Sequence, residues 1–228
     1  MARVNLERRA EIGLAKRNRT RAAILEAARA CYAAPKAAPV TVDAVIQAAE
    51  LAKGTFYVHF ADLGALEAAL GELLTEELDR RLQPARLAGD HPLTRLATAL
   101  TVLLRDLARS PAQARLVARA AAEIPDVVNA MQAHLRQDLA DAHAADLLAV
   151  SSVELAARIV TAISRQAAQD LAERRIDDAA LPDIVSAILR AIGCTPREAA
   201  RHAEAAARHA AAHSRAPDDG APSSRRNP

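Results

Sequence analysis

Three observations predict an all-α chain. No stretch alternates apolar and polar residues as a half-buried strand does. Apolar residues recur instead at intervals of three and four, segment after segment. Gly and Pro, only 7 and 11 among 228 residues, cluster where those segments stop. With 51% hydrophobic residues the chain can build the cores of one small and one larger helical domain. No apolar run approaches the roughly 20 residues that span a bilayer. Ile12 and Leu14 sit among charges rather than in a signal-like apolar region, so a cytoplasmic protein is expected. Cys31 and Cys194 fit neither a Cys-x-x-Cys pair nor a Cys/His metal spacing and read as reduced thiols, Cys31 as a small buried hydrophobe.

Taken in order, residues 1–19 form a basic arm. Arg3, Arg8, Arg9, Lys16, Arg17, Arg19 and Arg21 against Glu7 and Glu11 leave residues 1–21 at +5, while the whole chain carries only +2. Such an arm can track a phosphate backbone or enter a minor groove; a solvated, disordered terminus is the plain alternative. Thr20 is a candidate cap for a first helix to about Ala34, with Ile24, Ala27, Ala28 and Cys31 on its apolar face and Pro35 and Pro39 stopping it. From Thr41, again a candidate cap, Val42, Val45, Ile46 and Ala49 define a short second helix. A third follows at once. Phe56 and Phe60, four apart, must point one way, which leaves Lys53, Thr55, Tyr57 and His59 facing outward with donors and no carboxylate.

Two short helices joined by a three- or four-residue turn, the second showing small polar and basic side chains, form a helix-turn-helix. Gly54 and Thr55 keep bulk low where backbone approaches base edges, and a Thr methyl can touch a thymine methyl. Lys53, Tyr57 and His59 can reach phosphate oxygens. The run Lys53-Gly54-Thr55-Phe56-Tyr57-Val58-His59-Phe60 resembles the signature of the tetracycline-repressor-like (TetR) transcriptional regulators. The likeness is strong over residues 20–70 and architectural beyond. The sequence departs from the usual pattern at Glu50, where a turn Gly is common, and at Ala52, which replaces a Ser or Thr cap. It also departs at Lys36 and Ala37, and at Leu63, where a phosphate-binding Lys is frequent.

The resemblance implies a three-helix DNA-binding domain at residues 20–65, an effector-binding and dimerisation domain at 66–194, and a separate Ala-rich helix and tail at 195–228. It implies that Thr41, Val42, Lys53, Gly54, Thr55, Tyr57 and His59 meet a pseudo-palindromic double-stranded DNA operator. It also implies a homodimer through the last two core helices and a small-molecule effector that releases a repressor. The alternative is a dimeric adaptor that has lost operator binding and works through protein–protein contacts, supported by Glu50 and Leu63.

The remaining elements follow from spacing. Asp62 caps a long fourth helix to about Leu82, with Leu63, Leu66, Leu70, Leu73, Leu74 and Leu78 on one face. Leu93, Leu96, Leu100, Leu103 and Leu107 define a fifth, and Ser110-Pro111 opens a sixth to about Glu123. Pro125 opens a seventh carrying Val128, Met131, Leu135 and Leu139. An eighth spans about Ser152–Arg174 and a ninth about Leu181–Ile192. Their apolar stripes are broad enough to face a twofold mate, through Ile159, Ile163, Ala167, Ile184, Ile188 and Ile192. Gly193 ends the core, and Thr195-Pro196 opens a further helix with little to bury; from Ser214 the composition predicts a disordered tail.

An effector pocket among helices five to eight would be lined by Leu103, Leu107, Met131 and Leu135, which favours an aliphatic or acyl-chain-like ligand with an anionic end near Arg119 or His134. Arg119 and Glu123 also fit an ordinary i,i+4 pair. No phosphate loop, nucleophile elbow or His-Glu-x-x-His appears, and Asp177-Asp178 and Glu76-Glu77 diverge around a helix. No enzyme activity, cofactor or metal is expected, and His209 with His213 lacks a third ligand.

Overall fold

The computed structural model describes residues 2–35, 38–86, 91–124 and 133–213. Among them are ten α-helices, one 3-10 turn at Asp178–Ala180 and no strand. The helices are α1 (Ala2–Ala33), α2 (Val42–Ala48), α3 (Lys53–His59), α4 (Leu63–Arg86) and α5 (Pro92–Arg109). They continue with α6 (Pro111–Glu123), α7 (Ala133–Ala144), α8 (Val153–Ala172), α9 (Leu181–Ala191) and α10 (Pro196–His213).

Side-chain caps set half of the α-helix starts. Thr41, Asp62, Ser110 and Ser152 each accept a hydrogen bond from a backbone N–H three residues on, at 3.1, 2.7, 3.2 and 3.2 Å. Thr195 and Glu198 form a reciprocal capping box ahead of α10. Four helices end alike: Leu51, Leu147, Arg175 and Cys194 each donate to a carbonyl five residues back. The residue before each lies in the left-handed region, namely Glu50, Asp146, Arg174 and Gly193. Only Gly193 needs to be glycine on steric grounds, because a Cβ there would meet the Ala149 nitrogen at 2.2 Å.

The apolar residues separate into two cores. The head core collects Ile24, Ala28 and Tyr32 from α1, Val45 from α2, Phe56 and Phe60, and Leu66, Leu70 and Leu74 from α4. Leu116, Ala120 and Ile124 belong to the same cluster, so the far end of α6 finishes the head. The body core is built around α5, which touches every helix from α6 to α10 as well as α4. Thr98 and Thr101 are buried there and donate to Thr94 and Ala97 carbonyls, at 2.7 and 2.8 Å.

Two expectations are corrected. Thr20 caps nothing: α1 runs unbroken from Ala2 through it, and its hydroxyl donates to the Lys16 carbonyl inside the helix. No proline interrupts residues 2–33, and Ala, Arg, Leu and Glu all favour helix, so the basic segment continues the first helix instead of preceding it. The helix after Thr195 is not an appendage either. Ala199, Ala203, Ala206 and Ala210 give α10 a flat small-residue face that is buried, and it packs on α5 and α9 as part of the body. The expected start of the seventh helix at Pro125, and the tail from Ser214, lie outside the described residues. Among those described, no helix is long and apolar enough to cross a membrane.

Candidate nucleic-acid interface and internal cavity

The head presents α3. Phe56 is fully buried and Phe60 nearly so, their rings 5.9 Å apart, and they anchor one side of the helix in the head core. The opposite side is open: Lys53, Gly54, Tyr57 and Val58 are exposed, Tyr57 by 52% and Val58 by 64%. Thr55 and His59 stand on the flank and are half-buried. Val58 was not among the outward residues expected from sequence, although a 100° step from Phe56 and Phe60 puts it there. Nothing lies within 4 Å of a Cβ built on Gly54.

The turn before α3 closes in spite of its sequence. Glu50 takes φ 54°, the conformation a glycine would supply, and Leu51 N–H donates to the Ile46 carbonyl at 3.0 Å. Ala52 precedes α3 with no side-chain cap. Thr41 is exposed and occupied as the α2 cap, while Val42 is half-buried against the head core, as is Leu63. α3 itself shows no carboxylate, as expected, but Asp43 of α2 pairs with Lys53 at 2.9 Å and, chiefly through that hydrogen bond, holds the Lys53 pKa above its ordinary value. Both partners are well exposed, so the pair is weak and leaves Lys53 available.

The body holds a cavity of about 130 Å³ between α4, α5, α6, α7 and α8. Leu103, Leu107, His134 and Leu135 line it as expected, joined by Leu78, Leu96, Val117 and Val160. Met131 lies outside the described residues. Arg119 does not line it. Its guanidinium bonds the Cys31 and Ala38 carbonyls at 3.3 and 3.0 Å, pairs with Glu123 and sits 5.4 Å over the Tyr32 ring. Helical spacing gave the Glu123 pair but could not show that α1 ends beside it. The polar lining was missed from sequence: Asp138, which accepts from Arg95 Nε at 2.9 Å, together with Thr161, Ser164 and Arg165. His134 Nε2 is 3.5 Å from Asp79.

α6 faces both ways. Val117, Ala118 and Ala121 border the cavity, and Leu116, Ala120 and Ile124 enter the head core. Arg115 donates to the Ala33 carbonyl at 2.7 Å and to the Ala172 carbonyl at 3.3 Å, the last residues of α1 and α8. Neither helix carries a basic residue in its own last turn, so α6 supplies the cation that their carbonyl ends favour. Across the same junction Glu77 of α4 takes a bidentate pair from Arg29 of α1, which draws its carboxyl below the ordinary range.

Of the residues expected at a dimer interface, Ile188 and Ile192 are completely enclosed within the chain and Ala167 almost so. The stripe on α9 is wide because one side of it meets α5 and α10. Ile159, Ile163 and Ile184 are only partly buried, and Ile163 and Ile184, with Ala167, line an open apolar groove that runs between α8 and α9 past Ala162, Gln166 and Ala187. Cys31 and Cys194 are free thiols, and burial pushes that of Cys194 up to about 11. Among the described residues no three His, Cys, Asp or Glu side chains gather as a metal set.

With this geometry the chain is similar to several solved regulators. It matches RolR in complex with resorcinol at a TM-score of 0.61 and 23% identity, over 83% of this chain and 95% of that one. It matches the fatty acid degradation regulator FadR from Bacillus halodurans at 0.57 and 16%, over 77% and 97%. NalD, the secondary repressor of the MexAB-OprM multidrug efflux pump in Pseudomonas aeruginosa, is matched at 0.57 and 18%, over 76% and 96%. Each likeness spans nearly the whole of the other chain, so the fold is theirs: a helix-turn-helix head on a larger helical body, the tetracycline-repressor-like architecture. The sequence matches no family model and no curated protein.

Proposed function

We propose that the chain is a TetR-like, sequence-specific DNA-binding regulator that works as a homodimer and leaves its operator when a small molecule occupies the body cavity. The observation that carries this reading is the open stripe on α3, Lys53, Gly54, Tyr57 and Val58, backed by the buried Phe56–Phe60 anchor. Lys53 and Tyr57 are placed for phosphate oxygens, Gly54 for close approach to base edges, and Val58 for thymine methyls. Thr41, Thr55 and His59 flank that stripe, and Val42 supports it from the head core. Arg8, Arg9, Lys16, Arg17 and Arg19 are exposed along α1. A helix about 10–12 Å across does not enter a minor groove about 6 Å wide, which favours phosphate tracking for this arm.

Two heads must reach successive major grooves, about 34–36 Å apart. The open groove between α8 and α9, lined by Ile163 and Ile184, and the partly buried Ile159 on α8 support pairing there. A ligand favouring one arrangement of α6 and α4 would shift the population to a head spacing that misfits the operator. Near-complete release takes about 5.5 kcal/mol of differential binding, which two sites can share. The adaptor reading loses one of its two supports, since Glu50 adopts the turn geometry that a glycine would.

Fluorescence anisotropy on labelled DNA from the upstream region of its own gene and on scrambled DNA, across a salt series, tests the reading. Tight, selective binding with a steep salt slope is expected. Lys53→Ala should weaken binding to every DNA and flatten that slope. Equal, weak binding to both DNAs and to a pool of random duplexes would overturn the regulator reading.

A further inference from the structure

Resting on the reading of the cavity as an effector site, we infer its ligand class: a compact, neutral, mostly apolar molecule carrying a single oxygen function that hydrogen-bonds to Ser164. Three observations lead there. The first is size. At about 130 Å³ the cavity is comparable to one that takes up benzene, so it holds a single ring with a small substituent and not an extended acyl chain.

The second is charge. Among the described residues, the wall is mostly aliphatic; its one carboxylate, Asp138, is bonded to Arg95, which also engages Asp141, and the half-exposed His134 already faces Asp79 at 3.5 Å. Arg165 stands at the edge with its side chain exposed to solvent. A carboxylate drawn inside would lose its hydration beside Asp138 without a buried cation in return. A neutral ligand meets no such penalty.

The third is the open valence. Ser164 Oγ is buried, borders the cavity and has no hydrogen-bond partner among the described residues. A serine in mid-helix commonly bonds back to the carbonyl four residues earlier, and this one does not. Buried polar groups left unmatched are rare, and a hydroxyl can either donate or accept. One alcohol, phenol or ketone oxygen on the ligand completes it. Ser164 lies on α8, whose Ala162, Ile163 and Gln166 line the apolar groove, so the contact fixes the ligand to a helix that also faces that groove.

The test compares phenol, toluene, benzoate and octanoate on the full-length protein and on Ser164→Ala, by calorimetric titration, with DNA release followed by anisotropy in parallel. Phenol should bind, and its advantage over toluene should shrink about tenfold in Ser164→Ala while toluene binding holds. Without ligand, Ser164→Ala should melt no earlier than the parent, since it removes an unmatched hydroxyl and adds a better helix former. A clear loss of melting temperature, or an unchanged phenol-to-toluene ratio, would show that Ser164 is not the open group. Binding and DNA release by benzoate or octanoate, but not phenol, would overturn the ligand class while keeping the effector reading. Ser164-dependent phenol binding without DNA release would uphold the ligand class and refute the effector role.

Discussion

The head and the body of this molecule solve the same packing problem with different materials. All four aromatic residues of the chain belong to the head, three of them in its core, with the Tyr32 hydroxyl bonded to Glu67 at 2.6 Å. The body has none. It is assembled from Leu, Ile, Val and a large share of Ala around a cavity that is partly open to solvent. Rigid rings of defined shape hold one arrangement, whereas aliphatic side chains around a void can repack. On the proposed function, the part that presents a fixed surface is the one built with aromatic rings, and the part that responds to a ligand is the aliphatic one beside the cavity.

Truncation should expose that contrast. Phe56→Ala should cost about 3–5 kcal/mol and remove DNA binding, whereas Leu100→Ala, at the cavity wall, should cost only about 2 kcal/mol because one side of that leucine already faces empty space. Chemical denaturation of both variants measures the difference, and equal losses would mean that the cavity is filled in solution. Arg115→Ala addresses the joint between the two regions. It should cost about 2 kcal/mol and let the head unfold ahead of the body, seen as two steps in calorimetry or in hydrogen exchange.

Smaller effects sharpen the picture. Glu50→Gly should stabilise the head by about 1 kcal/mol, since it relieves a left-handed residue that carries a side chain. In the body, His202 is buried between Thr94, His91, Arg201 and Glu198, and burial, followed by the neighbouring His91 and Arg201, lowers its pKa. The folded form thus resists a proton that the unfolded chain accepts near its ordinary pKa of about 6.5. Stability is retained above that value and lost as the pH falls through it toward the depressed pKa of the folded state. Melting should therefore occur earlier in mild acid, and His202→Gln should remove most of that trend.

Much of the fold was legible because local chemistry writes it down. Thr41, Asp62 and Ser110 announce their helices, Phe56 and Phe60 fix the orientation of α3, and the stripes of α8 and α9 give their limits to within two residues. What failed depends on partners distant in sequence. Arg119 reads as half of a surface pair until α1 is seen to end against it. Ile188 and Ile192 look like interface residues until α10 covers that side. α10 itself looked poor in burial because Ala counts for little on a hydrophobicity scale, yet it allows the closest approach of helices. Ser164 gave no signal at all, since an unmatched hydroxyl is a property of its surroundings.

The single guanidinium of Arg115 closes the carbonyl ends of α1 and α8 together. Hydrogen bonds weaken steeply with a small change of distance or angle. Were the head to turn on the body, a joint fastened in this way would not stretch in proportion to the load, as a spring would; it would act as a detent, held until it slips. On the proposed function, head and body would then have few stable intermediate settings, and a graded rise in ligand concentration would be read out as a change in how many molecules have switched.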